Sequence, residues 1–287
     1  MDPFADAPTA PGLAWLLARA PRGLARGAVF AGALAAGSAV VAAFALAFRG
    51  GKELPAGARR ALRWAIAPAV SWMLAAVGVA GGAPHPVAGG QHLRGFLEGG
   101  RGVVVFNHVS VLDGFVLMSA MAAEGGRWPA FVARRESLML WPVVKFMELT
   151  GCLLLGREPG GAAQAIADRV RGGFAGDRSP LAIAPEGRTT NGRALVRFRT
   201  GAFLALEPVL PALLRYGAAA GGGPVDPSWT AGRGPGWTVP RLMCQAATAV
   251  GVEFLPAVAA AAGETPAEFA LRVRDAMAQG LGVPVHG

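Results

Sequence analysis

Hydrophobic and polar positions divide the chain into two parts with different patterns. Residues 27–48 and 64–83 form two long runs without a charged side chain. Farther along, the apolar runs are short and alternate with amphipathic stretches, which is typical of a sheet whose strands are joined by helices. The pattern predicts a membrane-anchoring region over residues 1–90, an α/β domain over 91–262, and a helix with a tail over 263–287.

The first uncharged run is long enough, as a helix, to cross a hydrocarbon layer of about 30 Å. The second contains Pro68 and several glycines, so a kinked span, one arm of a re-entrant hairpin and a buried helix all fit it. Basic residues flank the first run on both sides, which leaves its topology open. Asp2 and Asp6 stand where a signal peptide has basic residues, so we expect an anchor rather than a cleaved leader.

Short β-branched or apolar runs predict the strands of the second part. Buried strands of a parallel sheet have this composition, and the runs are residues 103–106, 131–133, 152–155, 181–184 and 209–214. We therefore expect an α/β fold with a central, mainly parallel sheet flanked by helices and preceded by one or two membrane helices.

Helices are predicted between and after these strands. Ile166, Val170 and Phe174 recur every four residues, which indicates a crossover helix over residues 162–174. Thr265-Pro266-x-Glu268 is a capping box that opens a helix ending at Gly280. Residues 217–240 are rich in glycine and proline and predict a long surface loop.

Charge and cysteine content narrow the function classes. The net charge is +9, from 27 basic and 18 acidic residues, and such a surplus suits phosphate, CoA, anionic lipid or nucleic acid. The two cysteines, Cys152 and Cys244, lie in separate hydrophobic contexts, which excludes a disulfide framework and a cysteine-based zinc site. No metal site is expected.

His108 directly follows the first predicted strand and precedes Asp113 by five residues. Five positions along one helix separate two side chains by about 140°, so the pair meets only if His108 lies in a turn and the helix starts after it. Ser110 supplies such a start as N-cap of a Ser-x-x-Asp pattern. A plain helix cap with a hydrogen-bonded turn histidine explains the segment equally well.

On the functional interpretation, Asp113 fixes the tautomer of His108, whose other ring nitrogen takes a proton from an alcohol. No G-x-S-x-G nucleophile is present, which favours direct transfer between two bound substrates. A second cluster, Ala184 to Arg193, combines backbone amides, hydroxyls and arginines and suits a phosphate. Taken alone, such a Gly- and Asn-rich stretch is more often a plain turn. Arg197 and Arg199 fit CoA phosphates or a solvated basic face.

Taken together, four segments resemble the blocks of the glycerophospholipid (lysophospholipid) acyltransferase family, and most of all the plant and animal lysophosphatidylethanolamine and lysophosphatidylcholine acyltransferases. The matching segments are Asn107-His108-x4-Asp113, Gly151 through Arg157, Pro185-Glu186-Gly187, and Val209-Leu210-Pro211. The resemblance implies a catalytic domain over residues 91–262. It departs at Arg188 and Thr189, where the family usually has threonine and then arginine.

The resemblance also implies a mechanism and a set of substrates. His108 would act as general base on a glycerol hydroxyl, with Asp113 as the residue that orients it. The implied substrate-binding residues are Asn107, Arg157, Glu186, Gly187, Arg188 and Thr189. Acyl-CoA is the implied co-substrate, with no resident cofactor; a lysophospholipid is the acceptor and a lipid bilayer the surface, without nucleic acid. In a eukaryotic host, the endoplasmic reticulum is the expected membrane.

Three other functions stay open at this point. In the first function, the acceptor is glycerol 3-phosphate or lysophosphatidic acid. In the second function, a phospholipid donates the acyl group and CoA takes no part. In the third, the chain is a non-catalytic basic protein that binds membranes.

Overall fold

The computed structural model of the protein describes residues 2–5, 12–48, 53–135, 140–156, 161–217, 225–230 and 234–286. Its strands are β1 (Val87–Ala88), β2 (Val103–Phe106), β3 (Ala130–Arg134), β4 (Leu153–Leu155), β5 (Leu181–Ile183), β6 (Val209–Gly217) and β7 (Ala249–Phe254). They form one seven-stranded sheet in the order β1-β7-β6-β2-β5-β3-β4. Strands β2 to β6 are parallel, β7 is antiparallel to β6, and β1 is parallel to β7. The predicted α/β fold with a mainly parallel sheet is confirmed.

The helices are α1 (Leu13–Ala47), α2 (Ala56–Ala76), α3 (Gly90–Gly99), α4 (Asp113–Gly125), α5 (Trp141–Leu149), α6 (Gly161–Arg171), α7 (Pro235–Cys244) and α8 (Pro266–Leu281). The predicted crossover helix is α6, and it ends at Arg171, before Phe174, because Gly173 takes a left-handed conformation. The predicted capping box opens α8, where Thr265 accepts from the Glu268 amide.

Helix α7 contradicts the predicted surface loop over residues 217–240. Pro235 occupies the first turn, where its missing N–H is no loss, and Leu242 and Met243 on the last turn are buried. Burial of that turn outweighs the glycine and proline content from which the loop was predicted. Of the remaining loop, residues 218–224 and 231–233 lie outside the described part of the chain.

Apolar side chains cover both faces of the sheet. Along β6, Leu210, Ala212 and Leu214 pack into a cluster with α2, α3 and α4, whereas Val209 and Leu213 pack into a second cluster with α6 and α8. Since both faces are buried, the central strands read as continuous apolar runs rather than alternating ones. The carboxyl ends of the parallel strands remain as the edge where loops can form a site.

Helices α1 and α2 pack against each other beside the sheet. In the described part of the chain, α1 is the one helix long and apolar enough to cross a membrane, with a mean hydropathy of 2.1 in its most apolar window. Leu62, Ile66, Val70 and Leu74 of α2 are buried, whereas Trp64 and Trp72 are exposed. The part of the second uncharged run that lies in α2 therefore packs against the protein on one face only. The division of the chain at residues 90 and 262 stays a prediction.

Helix α1 is also attached to the rest of the protein by a polar contact. Arg26 donates from Nη1 to the Gln245 carbonyl (2.6 Å) and from Nη2 to the Ala246 carbonyl (3.1 Å). These carbonyls follow the last turn of α7, where a cation is favourable. Leu13, Leu17, Leu24 and Leu46 of α1 are exposed. The helix therefore has one side on the protein and one apolar side outward.

The capping box predicts a measurable effect on stability. Replacement Thr265→Ala removes the acceptor of the Glu268 amide, and we expect it to lower the free energy of unfolding by about 1 kcal/mol. Thr265→Ser keeps the hydroxyl and serves as the control. Unfolding of the detergent-solubilised protein measures the stability of both variants. An equal loss of stability in Thr265→Ala and Thr265→Ser would contradict a stabilising role of the cap.

Candidate active site

The candidate site begins where β2 ends and the chain turns. The side chain of Asn107 continues the sheet, because Nδ2 donates to the Leu214 carbonyl (2.9 Å) and Oδ1 accepts from the Leu214 amide (2.8 Å). Asn107 is 2% exposed. Both polar atoms of the Asn107 side chain thus bond to the backbone of β6. The structure places this residue, which was predicted to bind substrate, where it fixes the position of the neighbouring His108.

His108 and Asp113 meet as the sequence spacing predicts. His108 Nδ1 lies 2.8 Å from Asp113 Oδ2, and α4 starts at Asp113, after the turn. The amides of Val109 (2.7 Å) and Ser110 (3.0 Å) donate to the same oxygen. The carboxylate accepts through Nδ1–H, and this tautomer leaves Nε2 as the basic nitrogen that faces the cavity described below.

The prediction of Ser110 as N-cap is wrong, because the N-cap residue is Leu112. Ser110 Oγ accepts from the Leu112 amide at 3.3 Å, and the Asp113 carboxylate holds the amides of Val109 and Ser110. These bonds stabilise a separate turn before the first helical residue. The helix starts two residues later than the capping pattern suggests.

Tyr216 completes the surroundings of Asp113, and sequence reasoning missed it. Its hydroxyl donates to Asp113 Oδ1 at 2.6 Å. Burial and the neighbouring carboxylate raise the pKa of the Tyr216 phenol well above its usual value, so the hydroxyl remains a donor. The alternation of side chains along β6 could have indicated its direction, because Ala212, Leu214 and Tyr216 lie on one face of the strand.

Glu186, in the turn after β5, contacts the backbone of His108 rather than its ring. Oε1 accepts from the His108 amide (2.8 Å) and Oε2 from the Val196 amide (3.4 Å). The residue is 3% exposed, and burial raises the pKa of Glu186 to about 7. Its carboxyl group therefore joins the turn after β5 to the turn after β2.

Gly187 lies under the side chain of Arg199. Its φ of +67° favours glycine, and a Cβ at this position would overlap Arg199 Nε. The Arg199 amide donates to the Pro185 carbonyl at 2.8 Å, which keeps the two segments together. Glycine is thus required for a guanidinium to cross the turn, and sequence reasoning alone had left Arg199 between a CoA contact and a solvated face.

Arg188 contacts the N-terminal segment, residues 2–5. Its guanidinium carbon lies 3.7 Å from the centre of the Phe4 ring. Asn191 holds the segment in place by donating from Nδ2 to the carbonyls of Asp2 (2.9 Å) and Ala5 (3.0 Å). The arginine that departs from the family pattern therefore has an aromatic partner in this chain.

A cavity of about 1000 Å³ joins these groups. Its polar lining includes His108, Arg188, Thr189 and Arg199. Most of the lining is apolar. Helices α1, α2, α4 and α5 contribute a large share of it, including Leu34, Val41, Ile66, Val70, Met73, Phe115, Met118, Phe146 and Met147. The sequence had not indicated that α1 forms one wall of this cavity.

The cavity therefore combines a basic histidine, the three guanidinium groups of Arg134, Arg188 and Arg199, and a large apolar volume. Such a site can accept a proton from a hydroxyl, bind a phosphate and hold a hydrocarbon chain. Arg157, predicted to bind substrate, lies outside the described residues. Within the described residues, no cluster of His, Cys, Asp and Glu is arranged to hold a metal ion.

Comparison with known proteins shows which proteins the chain resembles. Residues 87–214 match the family model described as Acyltransferase. Lysophospholipid acyltransferase LPEAT1 of Arabidopsis thaliana is 40% identical over 121 residues, which are 40% of this chain and 29% of that protein. Lysophosphatidylcholine acyltransferase 2 of Rattus norvegicus is 32% identical over 190 residues, which are 63% of this chain and 32% of that protein. The chain thus spans less than a third of the length of these two relatives.

One solved structure shares the fold over nearly the whole chain. The 1-acyl-sn-glycerophosphate (LPA) acyltransferase PlsC of Thermotoga maritima aligns with a TM-score of 0.60 and 17% identity, over 91% of this chain and 96% of that one. The predicted fold class and the predicted family resemblance are both confirmed.

The buried Glu186 predicts how stability changes with pH. Its pKa rises from the ordinary 4.5 to about 7 on folding, so between these values the folded state binds more protons than the unfolded one. The free energy of unfolding therefore falls as pH rises from 4.5 to 7, by about 3 kcal/mol for this group. Glu186→Gln should lack this slope.

Thermal unfolding of both proteins between pH 5 and 8 measures the effect. The stability of Glu186→Gln relative to wild type should increase with pH. Glu98→Gln, at an exposed position of α3, is the matched control. Parallel curves for wild type and Glu186→Gln would show that Glu186 ionises normally in the folded protein.

Proposed function

We propose, from the match of residues 87–214 to the acyltransferase family, that this protein moves a fatty acyl group from acyl-CoA to the free glycerol hydroxyl of a lysophospholipid at a membrane. The observation that carries the proposal is the His108–Asp113 pair, 2.8 Å apart, on the wall of a largely apolar cavity with three guanidinium groups.

In this reaction His108 acts as general base. Nε2 takes the proton of the glycerol hydroxyl while the oxygen attacks the thioester carbonyl of acyl-CoA, and Asp113 stabilises the imidazolium that forms. When the tetrahedral intermediate collapses, the C–S bond breaks and the proton passes from His108 to the departing thiolate. An ester and free CoA result, and no covalent enzyme intermediate is needed.

The arginines on the cavity wall suit the acceptor's phosphate. Arg188 and Arg199 present planar guanidinium groups that bind phosphate oxygens in pairs. Phe4 covers one face of Arg188 and restricts its orientation. This arrangement keeps a guanidinium at the turn although the family's usual threonine and arginine are exchanged here. Thr189, Gly187 and Arg157 are part of the same proposed acceptor site.

The apolar part of the cavity suits an acyl chain. Helices α1 and α2 supply an apolar wall of the cavity, and Phe146 and Met147 of α5 line the same volume. Burial of methylene groups contributes about 0.8 kcal/mol each, so a fatty chain gains affinity from each carbon it places there. The outward apolar side of α1 suits a lipid bilayer, which supplies the acceptor.

The relatives' names favour lysophosphatidylethanolamine or lysophosphatidylcholine as acceptor. Transfer to glycerol 3-phosphate or to lysophosphatidic acid, and a CoA-independent exchange between phospholipids, would use the same general base, His108. Each of these reactions is a separate arm of the test below. A non-catalytic membrane-binding protein would have no use for the His108–Asp113 pair. The endoplasmic reticulum remains the proposed membrane for a eukaryotic host.

His108→Ala tests the reaction. Membranes with wild type or variant are incubated with labelled oleoyl-CoA and each of the four acceptors, and separately with each acceptor plus a phospholipid labelled in its acyl chain but no acyl-CoA. Wild type should transfer the label, and the variant should lose activity by at least about a hundredfold, because general base catalysis contributes 10²–10⁴. His286→Ala, at an exposed position near the end of the chain, is the control. Full activity of His108→Ala would overturn the mechanism.

Arg188→Gln tests the acceptor site. Loss of one charged hydrogen-bonding group should raise KM for the lysophospholipid about tenfold or more, and KM for acyl-CoA should stay within about twofold. Arg101→Gln removes an exposed guanidinium before β2, at the far end of the strand from His108, and is the matched control. An equal rise of both Michaelis constants would place Arg188 elsewhere in the reaction.

A further inference from the structure

We propose that Tyr216 is a positioning residue of the candidate active site, whose hydroxyl holds the Asp113 carboxylate in the orientation that His108 needs. The inference rests on the proposed function, because it assigns Tyr216 a part in the same proton transfer. The resemblance in the sequence gave this residue no role.

The sheet brings Tyr216 to this place through a difference in strand length. Phe106, the last residue of β2, pairs with Ala212, but β6 continues to Gly217. Asn107 extends the pairing by one step through its side chain, to Leu214. Tyr216 is two residues farther and points to the same face, so its ring reaches over the turn that holds His108 and meets the start of α4.

The donors around Asp113 show what the phenol contributes. Oδ2 accepts from His108 Nδ1 and from the amides of Val109 and Ser110, whereas the phenol of Tyr216 donates to Oδ1. Asp113 is 1% exposed, so water does not replace a missing donor freely. Three donors at one oxygen and one at the other fix the rotation of the carboxylate about its Cβ–Cγ bond. Without the phenol, Oδ1 lacks its donor and the plane of the carboxylate is no longer held on that side.

The phenol also sets how strongly Asp113 attracts a proton on His108. A donor to Oδ1 draws charge away from the carboxylate, and its removal leaves a stronger attraction for the imidazolium. The titratable groups that face the pair are Glu186, bonded to the His108 amide, Tyr216 itself, and the guanidinium groups of Arg134, Arg188 and Arg199 on the cavity wall. Since Glu186 is the same in all variants below, a shift between them reports on the phenol.

Tyr216→Phe keeps the ring and removes the hydroxyl. We expect kcat to fall about tenfold while both Michaelis constants stay within about twofold, because the acyl and acceptor sites are untouched. The acidic limb of the kcat/KM profile should move to higher pH. Thr150→Val removes another buried hydroxyl, bonded to the Phe146 carbonyl at the end of α5. It is the matched control, and we expect it to lose stability without moving the limb.

The chain contains one tyrosine, so incorporation of 3-fluorotyrosine alters Tyr216 alone. Fluorine makes the phenol a stronger donor and leaves its size almost unchanged. The acidic limb should then move to lower pH, opposite to Tyr216→Phe. This second variant keeps the test valid if Tyr216→Phe does not fold.

Modification of His108 by diethyl pyrocarbonate, followed by mass spectrometry, gives a readout that needs no acyl transfer. The reagent attacks neutral imidazole, so the pH at half-maximal rate should rise in Tyr216→Phe and fall with 3-fluorotyrosine. His286, at an exposed position, is the internal control.

These opposite shifts without activity towards any acceptor would support the role of Tyr216 and overturn the proposed function. Unshifted His108 modification in both variants would overturn the positioning role, whatever the activity. The positioning role would also be overturned if Tyr216→Phe lost kcat and stability to the same extent as Thr150→Val, with the acidic limb of the pH profile unmoved.

Discussion

The buried carboxylate of Asp113 is the constraint on which the candidate site depends. An ionised carboxylate without partners costs several kcal/mol in a protein interior, so its burial requires donors from whatever surrounds it. Here the donors come from the turn after β2, from the ring of His108 and from the end of β6. One ionic group thereby aligns three parts of the fold, and the histidine gains a fixed tautomer as a result.

Glu186 is buried nearby but has a different electrostatic character. It accepts from two backbone amides, at 2.8 and 3.4 Å, and its pKa is about 7, whereas Asp113 has four donors. Burial therefore outweighs these two hydrogen bonds at Glu186 and raises its pKa. The two acids divide the task of holding His108, since Asp113 contacts its ring and Glu186 its amide. Both resemble catalytic groups in a sequence pattern, but neither needs to contact the reacting atoms.

Local patterns predicted much of this structure, and long-range contacts account for what they missed. Runs of β-branched residues located β2 to β6, and the capping box located the start of α8, because each depends on neighbours in the chain. The His108–Asp113 contact was predictable from turn geometry alone. Tyr216 was not, since its partner is 103 residues away and its reach depends on β6 outlasting β2. The place of Arg199 over Gly187 and the place of α7 likewise depend on packing that no local period encodes.

Helix α1 separates the cavity from whatever lies outside the protein by the width of one helix, about 10 Å. Arg26 fixes one end of this partition to the carbonyls after α7, while its apolar residues line the cavity farther along. Packing of α1 on α2, α5 and α7 keeps the cavity closed on this side. With α1 in a bilayer, as proposed, a fatty chain held in the cavity would lie only one helix width from the hydrocarbon chains of the lipid.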